Sequence, residues 1–122
     1  MHKNLLLIDD NPTNLEMMSI LLGAVGCSVR LAHSGAQGLD MANQASPDLI
    51  ICDVLMPDID GYEVARQLGA HPVLAAIPLV AVTALAMVDD RNKILDSGFD
   101  GYITKPIDPE TFVSEVATFL RT

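Results

Sequence analysis

Leu49-Ile50-Ile51-Cys52-Asp53-Val54-Leu55-Met56-Pro57, followed by Asp58-Ile59-Asp60-Gly61, decides the fold. An unbroken apolar run of strand length that closes on a carboxylate is the pattern of a parallel strand buried on both faces. Three other runs have the same form. Leu5-Leu6-Leu7-Ile8 ends on Asp9-Asp10, Leu79-Val80-Ala81-Val82 ends on Thr83, and Tyr102-Ile103-Thr104 ends on Lys105-Pro106. In a parallel α/β sheet the carboxyl ends of the strands share one edge, where ligands bind at the switch in strand order. Three carboxylates, a hydroxyl and an ammonium gathered there suit a divalent cation and a phosphoryl group.

The segments between these runs read as helices, so the order is β-α five times over. After a strand over 4–9, Asn11 is a cap and Pro12 takes the first helical position. Leu15, Met18, Leu21, Leu22 and Val25 follow at helical spacing, and Gly26 stops the helix. A second strand is predicted over 27–32. Ser34 then caps a helix over 35–45 whose apolar face is Ala36, Leu39, Met41 and Ala42. The third strand, over 48–53, leads through a loop to Gly61, which opens a helix reaching Ala70 before His71-Pro72 breaks it. Pro78 introduces the fourth strand, over 79–83, and the fourth helix spans 87–97, closed by Gly98. The fifth strand is 99–104, and Asp108-Pro109-Glu110 starts a last helix through Leu120. Such alternation implies a parallel sheet with helices on both faces and right-handed crossovers, in one domain over 1–122.

Composition narrows the function. Only seven basic residues are present and the net charge is -9, which argues against binding nucleic-acid backbones. No apolar run approaches the ~20 residues of a membrane span. The N-terminal residues lack a signal-peptide layout, so a cytoplasmic protein is expected. Cys27 and Cys52 sit among strand-like residues and read as small buried hydrophobes. His2, His33 and His71 have no neighbours at metal-binding spacing.

Each strand-end residue has an ordinary reading when taken alone. Asp9-Asp10 could be solvated loop acids, Asp53 a helix cap, Thr83 a strand residue and Lys105 a surface charge. All four positions at successive strand ends point instead to chemistry. Adjacent carboxylates repel unless a cation lies between them, and Mg2+ accepts a few carboxylates while bridging to phosphoryl oxygens. Asp53 then carries the oxygen that attacks phosphorus, since carboxylates form aspartyl-phosphates. Phosphoryl transfer needs alignment and neutralisation of spreading oxygen charge, for which Lys105 and the Thr83 hydroxyl are suited.

The acidic pair after the first strand, Asp53-Val54-Leu55-Met56-Pro57 with Gly61 following, Val82-Thr83-Ala84, and Tyr102-Ile103-Thr104-Lys105-Pro106 together resemble the receiver domain of two-component response regulators. The resemblance covers essentially the whole chain and is closest to single-domain regulators of cell-cycle type. It implies a flavodoxin-like (βα)5 fold, a doubly wound five-stranded parallel sheet in the order 2-1-3-4-5. It also implies Asp53 as phosphoacceptor, charged by a phosphohistidine on a sensor histidine kinase or a histidine phosphotransfer protein. Asp10, Asp53 and the backbone carbonyl of Leu55 would ligate Mg2+, with Asp9 acting through metal-bound water. Thr83 and Tyr102 would form a switch pair, and an output partner would read the face of the fourth helix, fifth strand and fifth helix. Such a domain catalyses only its own phosphorylation and dephosphorylation and is not a turnover enzyme. A cis Lys105-Pro106 bond is expected as well. Leu55 and Leu85, both apolar, would border the approach of hydrolytic water and favour a phosphoryl group that lasts for minutes or longer.

Other classes fit less well. A phosphatase of the haloacid-dehalogenase class has a second acid two positions after its nucleophile, where this chain has Leu55. A flavodoxin-like electron carrier needs a hydroxyl-rich loop after the first strand, and Asp9-Asp10-Asn11 would repel a flavin phosphate. A receiver-like module that no longer takes phosphate would be expected to lack site residues, and none is missing.

Overall fold

Burial on both faces shows most fully in the two strands whose sequences are most evenly apolar. Every residue of β3 (Leu49–Asp53) and of β4 (Leu79–Thr83) is buried. The computed structural model describes residues 2–84 and 87–120. Around these two strands stand β1 (Asn4–Ile8), α1 (Pro12–Gly23), β2 (Ser28–Ala32), α2 (Gly35–Gln44), α3 (Gly61–Gly69), α4 (Val88–Asp96), β5 (Gly101–Thr104) and α5 (Phe112–Ala117), with a short 3-10 turn, Leu74–Ala76, before β4. The sheet is parallel, in the order β2-β1-β3-β4-β5. The expected flavodoxin-like topology is the observed one.

Alternation along each strand divides the core in two. Leu6, Ile8, Ile50, Cys52, Leu79 and Ala81 face one way and pack with residues of α2, α3 and α4. Leu5, Leu7, Leu49, Ile51, Val80 and Val82 face the other way, against Leu15, Met18 and Leu22 of α1 and Phe112 and Val116 of α5. The strand order reverses at β1 and β3, so the helices leave to opposite sides there and a crevice opens above the strand ends.

Most helix starts follow the sequence reading. The Asn11 side chain accepts from the Thr13 and Asn14 N–H groups, and Ser34 Oγ accepts from the Gln37 N–H. Gly26 and Gly98 adopt positive φ (91° and 107°) beyond the helix ends. Several expectations require correction. β2 begins at Ser28, because the Cys27 N–H is engaged by the Leu22 carbonyl in the turn leaving α1. β5 begins only at Gly101, because both the N–H and the carboxylate of Asp100 bind the Leu79 backbone. Asp108 does not cap α5: its carboxylate turns back to the Glu110 N–H, and a turn over 108–111 delays the helix to Phe112. Ala36 is exposed, and α2 instead buries Gly35, Gly38 and Ala42. A Cβ on Gly38 would run into the Ile8 side chain, so the bulk on this face comes from the sheet rather than the helix. Cys27 and Cys52 are buried and unpaired with each other, as expected.

Candidate functional site

The strand ends bring the predicted side chains together. Asp9 follows β1 directly; its N–H still bonds to Ala32, which turns its carboxylate into the buried base of the crevice. Asp9 Oδ1 accepts from the Asn11 N–H at 2.9 Å, while Oδ2, also buried, accepts no hydrogen bond among the described residues. Asp10 stands exposed at the mouth. Asp53 ends β3 with only 6% of its side chain exposed. Carboxylate oxygens of Asp9, Asp10 and Asp53 all lie within 4.8 Å of one another.

Lys105 closes the far side. Its N–H bonds to the Thr83 carbonyl at 2.8 Å, and the following Lys105-Pro106 peptide is cis, as expected. Its ammonium lies 3.2 Å from Asp53 Oδ2 and 3.7 Å from Asp9 Oδ2. Among the described residues, one ammonium therefore meets a cluster of three carboxylates and pairs with two of them. Burial pushes the Asp53 carboxyl up from 3.8 to about 6, the Asp9 charge pushes the same way, and Lys105 offsets part of both. Burial, with the Asp53 charge next to it, also raises the Cys52 thiol, which keeps it neutral and unsuited to act as a nucleophile.

An uncompensated acid cluster with an unbonded buried oxygen is what a divalent cation would relieve. The donor set fits Mg2+, which binds through carboxylates and keeps several waters. The loop after Asp53 is closed at its base: the Gly61 N–H donates to the Val54 carbonyl at 2.7 Å. A Cβ on Gly61 would lie 2.7 Å from the Asp53 carbonyl oxygen, which is why this position must be glycine. Leu55 lies in that loop, its N–H 3.4 Å from Asp53 Oδ1 and its side chain 59% exposed. Leu85 lies outside the described residues.

Thr83 is buried at the end of β4, opposite Thr104. Tyr102, opposite Ala81 on the same face of the sheet, is half-buried against the core beneath α2, α3 and α4. Two contacts on this side were not legible from the sequence. The Arg91 guanidinium of α4 lies 5.7 Å from the centre of the Tyr102 ring, and the Lys93 ammonium lies 4.4 Å from that of Tyr62. Helix-to-strand and helix-to-helix pairs of this kind leave no mark in local spacing. The 108–111 turn and α1 leave an apolar groove of about 430 Å³ between Met17, Ile20, Leu21 and Pro109. No helix among the described residues is long and apolar enough to cross a membrane.

Known proteins resemble this chain in sequence and fold. The polar-differentiation response regulator DivK of Brucella ovis is 35% identical over 120 residues, covering 98% of this chain and 98% of DivK. The DNA-binding dual master transcriptional regulator RpaA of Synechocystis is 38% identical over 117 residues; the match covers 96% of this chain but only 48% of RpaA. Among solved structures, the receiver domain of sensor histidine kinase PA1611 from Pseudomonas aeruginosa superposes with a TM-score of 0.89 at 28% identity, covering 98% of each chain. That structure has a magnesium ion coordinated in its active-site cleft. The sequence profile of the response regulator receiver domain matches residues 5–117. With the strand order, the acid crevice and the matched family in agreement, the chain belongs to the receiver domains of two-component response regulators, signalling modules rather than turnover enzymes.

Proposed function

We propose that residues 1–122 act as one receiver domain in a cytoplasmic phosphorelay, with Asp53 as the Mg2+-dependent phosphoacceptor. The observation that carries this reading is the acid cluster: three carboxylates within 4.8 Å, a buried Asp9 oxygen without a hydrogen bond, and Lys105 between Asp9 and Asp53. Asp10, Asp53 and the Leu55 carbonyl would hold the ion, with Asp9 reaching it through water. When bound, Mg2+ supplies positive charge to the phosphoryl oxygens.

This chain's own residues do the rest. An Asp53 carboxylate oxygen attacks phosphorus as the P–N bond of a partner's phosphohistidine breaks, and the imidazole leaves with its electron pair. Lys105 neutralises charge on the transferred group, and the Thr83 hydroxyl donates to one of its oxygens. The movement of Thr83 leaves space for the Tyr102 ring to turn inward, changing the α4-β5-α5 face read by an output partner. The donor is a sensor histidine kinase or a histidine phosphotransfer protein. The apolar groove beside Ile20 opens where the chain leaves the acid crevice, through Asp10 into α1 and from Lys105 toward Pro109, and suits a helical surface on that donor. Neither nucleic acid nor membrane is a direct partner.

The test is incubation of the purified chain with a small phosphodonor such as acetyl phosphate. Intact mass is expected to show one added phosphoryl group, dependent on Mg2+ and lost in Asp53→Asn. Asp10→Asn is expected to weaken Mg2+ binding more than Asp9→Asn. Label arriving on histidine, or uptake unchanged in Asp53→Asn, refutes the assignment.

A further inference from the structure

The loop that carries Leu55 is held at its base by the Gly61–Val54 bond, but its outer limb turns away from β3 toward α2. There the Asp58 carboxylate receives two backbone donors. Gly35 N–H bonds to Oδ1 at 3.2 Å, and Ala36 N–H bonds to Oδ2 at 3.0 Å. These are the first N–H groups of α2, which have no partner within the helix. The contact is close: a Cβ on Gly35 would lie 2.6 Å from Ile59 Cγ1 and 2.9 Å from the Ile59 carbonyl oxygen. The Ala36 bond, foremost among several backbone bonds, holds the Asp58 carboxyl below its ordinary value. Asp58 is thus ionised at neutral pH beside the positive end of the helix dipole.

Helix α2 does not need Asp58 for a cap of its own, since Ser34 already binds the Gln37 N–H at 3.1 Å. What Asp58 adds is a link between two elements. Leu55 and Met56 lie between the anchor at Val54 and the anchor at Asp58, so the Leu55 carbonyl, proposed above as a metal ligand, sits on a span held at both ends. Removing one anchor frees that span to move, and a metal site with a loosely held ligand loses affinity.

We propose that Asp58 is a positioning residue for the phosphoacceptor site, strapping the loop after Asp53 to the N-terminus of α2. This rests on the Mg2+-dependent reading of that site. The tests are titration of Mg2+ alone by calorimetry, and amide exchange at Leu55 and Met56 without metal, each on the parent, Asp58→Ala, Asp58→Asn and Ser34→Ala. Asp58→Ala is expected to weaken Mg2+ about fivefold or more and to speed exchange at Leu55 about tenfold. Asp58→Asn keeps one acceptor and is expected to fall between it and the parent. Ser34→Ala removes a cap of the same helix without touching the loop; it is expected to lower the urea midpoint and leave both readouts unchanged. If Asp58→Ala matches the parent, or if Ser34→Ala changes both readouts as much, Asp58 is only a helix cap and the proposal fails. A parent that binds no Mg2+ while its loop still loosens in Asp58→Ala would overturn the metal reading and retain the strap.

Discussion

Asp53 is expected to destabilise the fold it serves, and the size of that effect follows from its burial. In the unfolded chain its carboxyl ionises near 3.8; in the folded chain burial first, and Asp9 second, raise this to about 6 against the opposing pull of Lys105. Below pH 3.8 the group is protonated in both states and its ionisation costs nothing. As pH rises from there to about 6, the unfolded chain releases a proton that the folded chain still holds, so stability falls. Above about 6 the full difference applies. Each tenfold change in proton affinity is worth about 1.4 kcal/mol, which makes the full difference about 3 kcal/mol. Asparagine stays neutral at every pH, and Lys105 keeps Asp9 as a counter-charge at 3.7 Å. Asp53→Asn is therefore expected to lie within about 1 kcal/mol of the parent near pH 4 and to exceed it by about 3 kcal/mol at pH 7.5 in EDTA. For a chain of this size, with a urea slope of about 2 kcal/mol per molar, the midpoint moves by about 1.5 M. Mg2+ at ten times its dissociation constant should return about 1.4 kcal/mol to the parent and nothing to the variant. Urea melts at four pH values, with and without Mg2+, measure all of this. Equal stabilities at pH 7.5, or a gap that does not change with pH, would refute the claim that a buried, ionised Asp53 strains the resting fold.

The remaining predictions concern the switch, the lifetime and the core. Thr83→Ala is expected to keep phosphoryl uptake while losing most of the change in amide exchange over α4 and β5 that a beryllofluoride mimic produces; an intact remote response would remove Thr83 from the switch. The phosphorylated parent is expected to hold its phosphoryl group for minutes or longer, and Leu55→Asn and Leu85→Glu to shorten that time by giving water a polar partner. Loss within seconds in the parent, or slower loss in both variants, contradicts shielding. Gly38→Ala drives a methyl into Ile8 and is expected to cost about 2 kcal/mol despite better helix propensity, whereas Gly23→Ala, with nothing within 4 Å, gains up to about 1 kcal/mol. Thermal or urea melts of the pair decide this.

The acid crevice was legible in the sequence because a parallel sheet converts linear position into spatial position. Once four apolar runs are read as strands, their closing residues must share an edge, and Asp9, Asp53, Thr83 and Lys105 follow without any knowledge of what lies between. The cap residues Asn11 and Ser34 were legible for a related reason, since each bonds within three residues of itself. Asp108 has the same local chemistry and misled the reading. An aspartate before proline can start a helix or close a turn on its own second neighbour, and only the placement of Phe112 in the α1 side of the core selects between them.

What spacing could not supply is the support of the site. Asp58 bonds to an N–H group 23 positions earlier in the chain, Arg91 meets Tyr102 across a helix and a strand, and Gly38 on the buried face of α2 has no room for a side chain because Ile8 lies against it. Each depends on where two elements lie relative to one another, which no periodicity records. The division has a physical reason. The proposed reacting groups stand at strand ends, where the backbone ladder fixes their register to the residue. The groups that hold the loops stand wherever crossovers happen to bring a donor and an acceptor together. Substitution of Asp53 should therefore abolish phosphoryl uptake outright. Substitutions at Asp58 should grade it, through the geometry of residues they never touch.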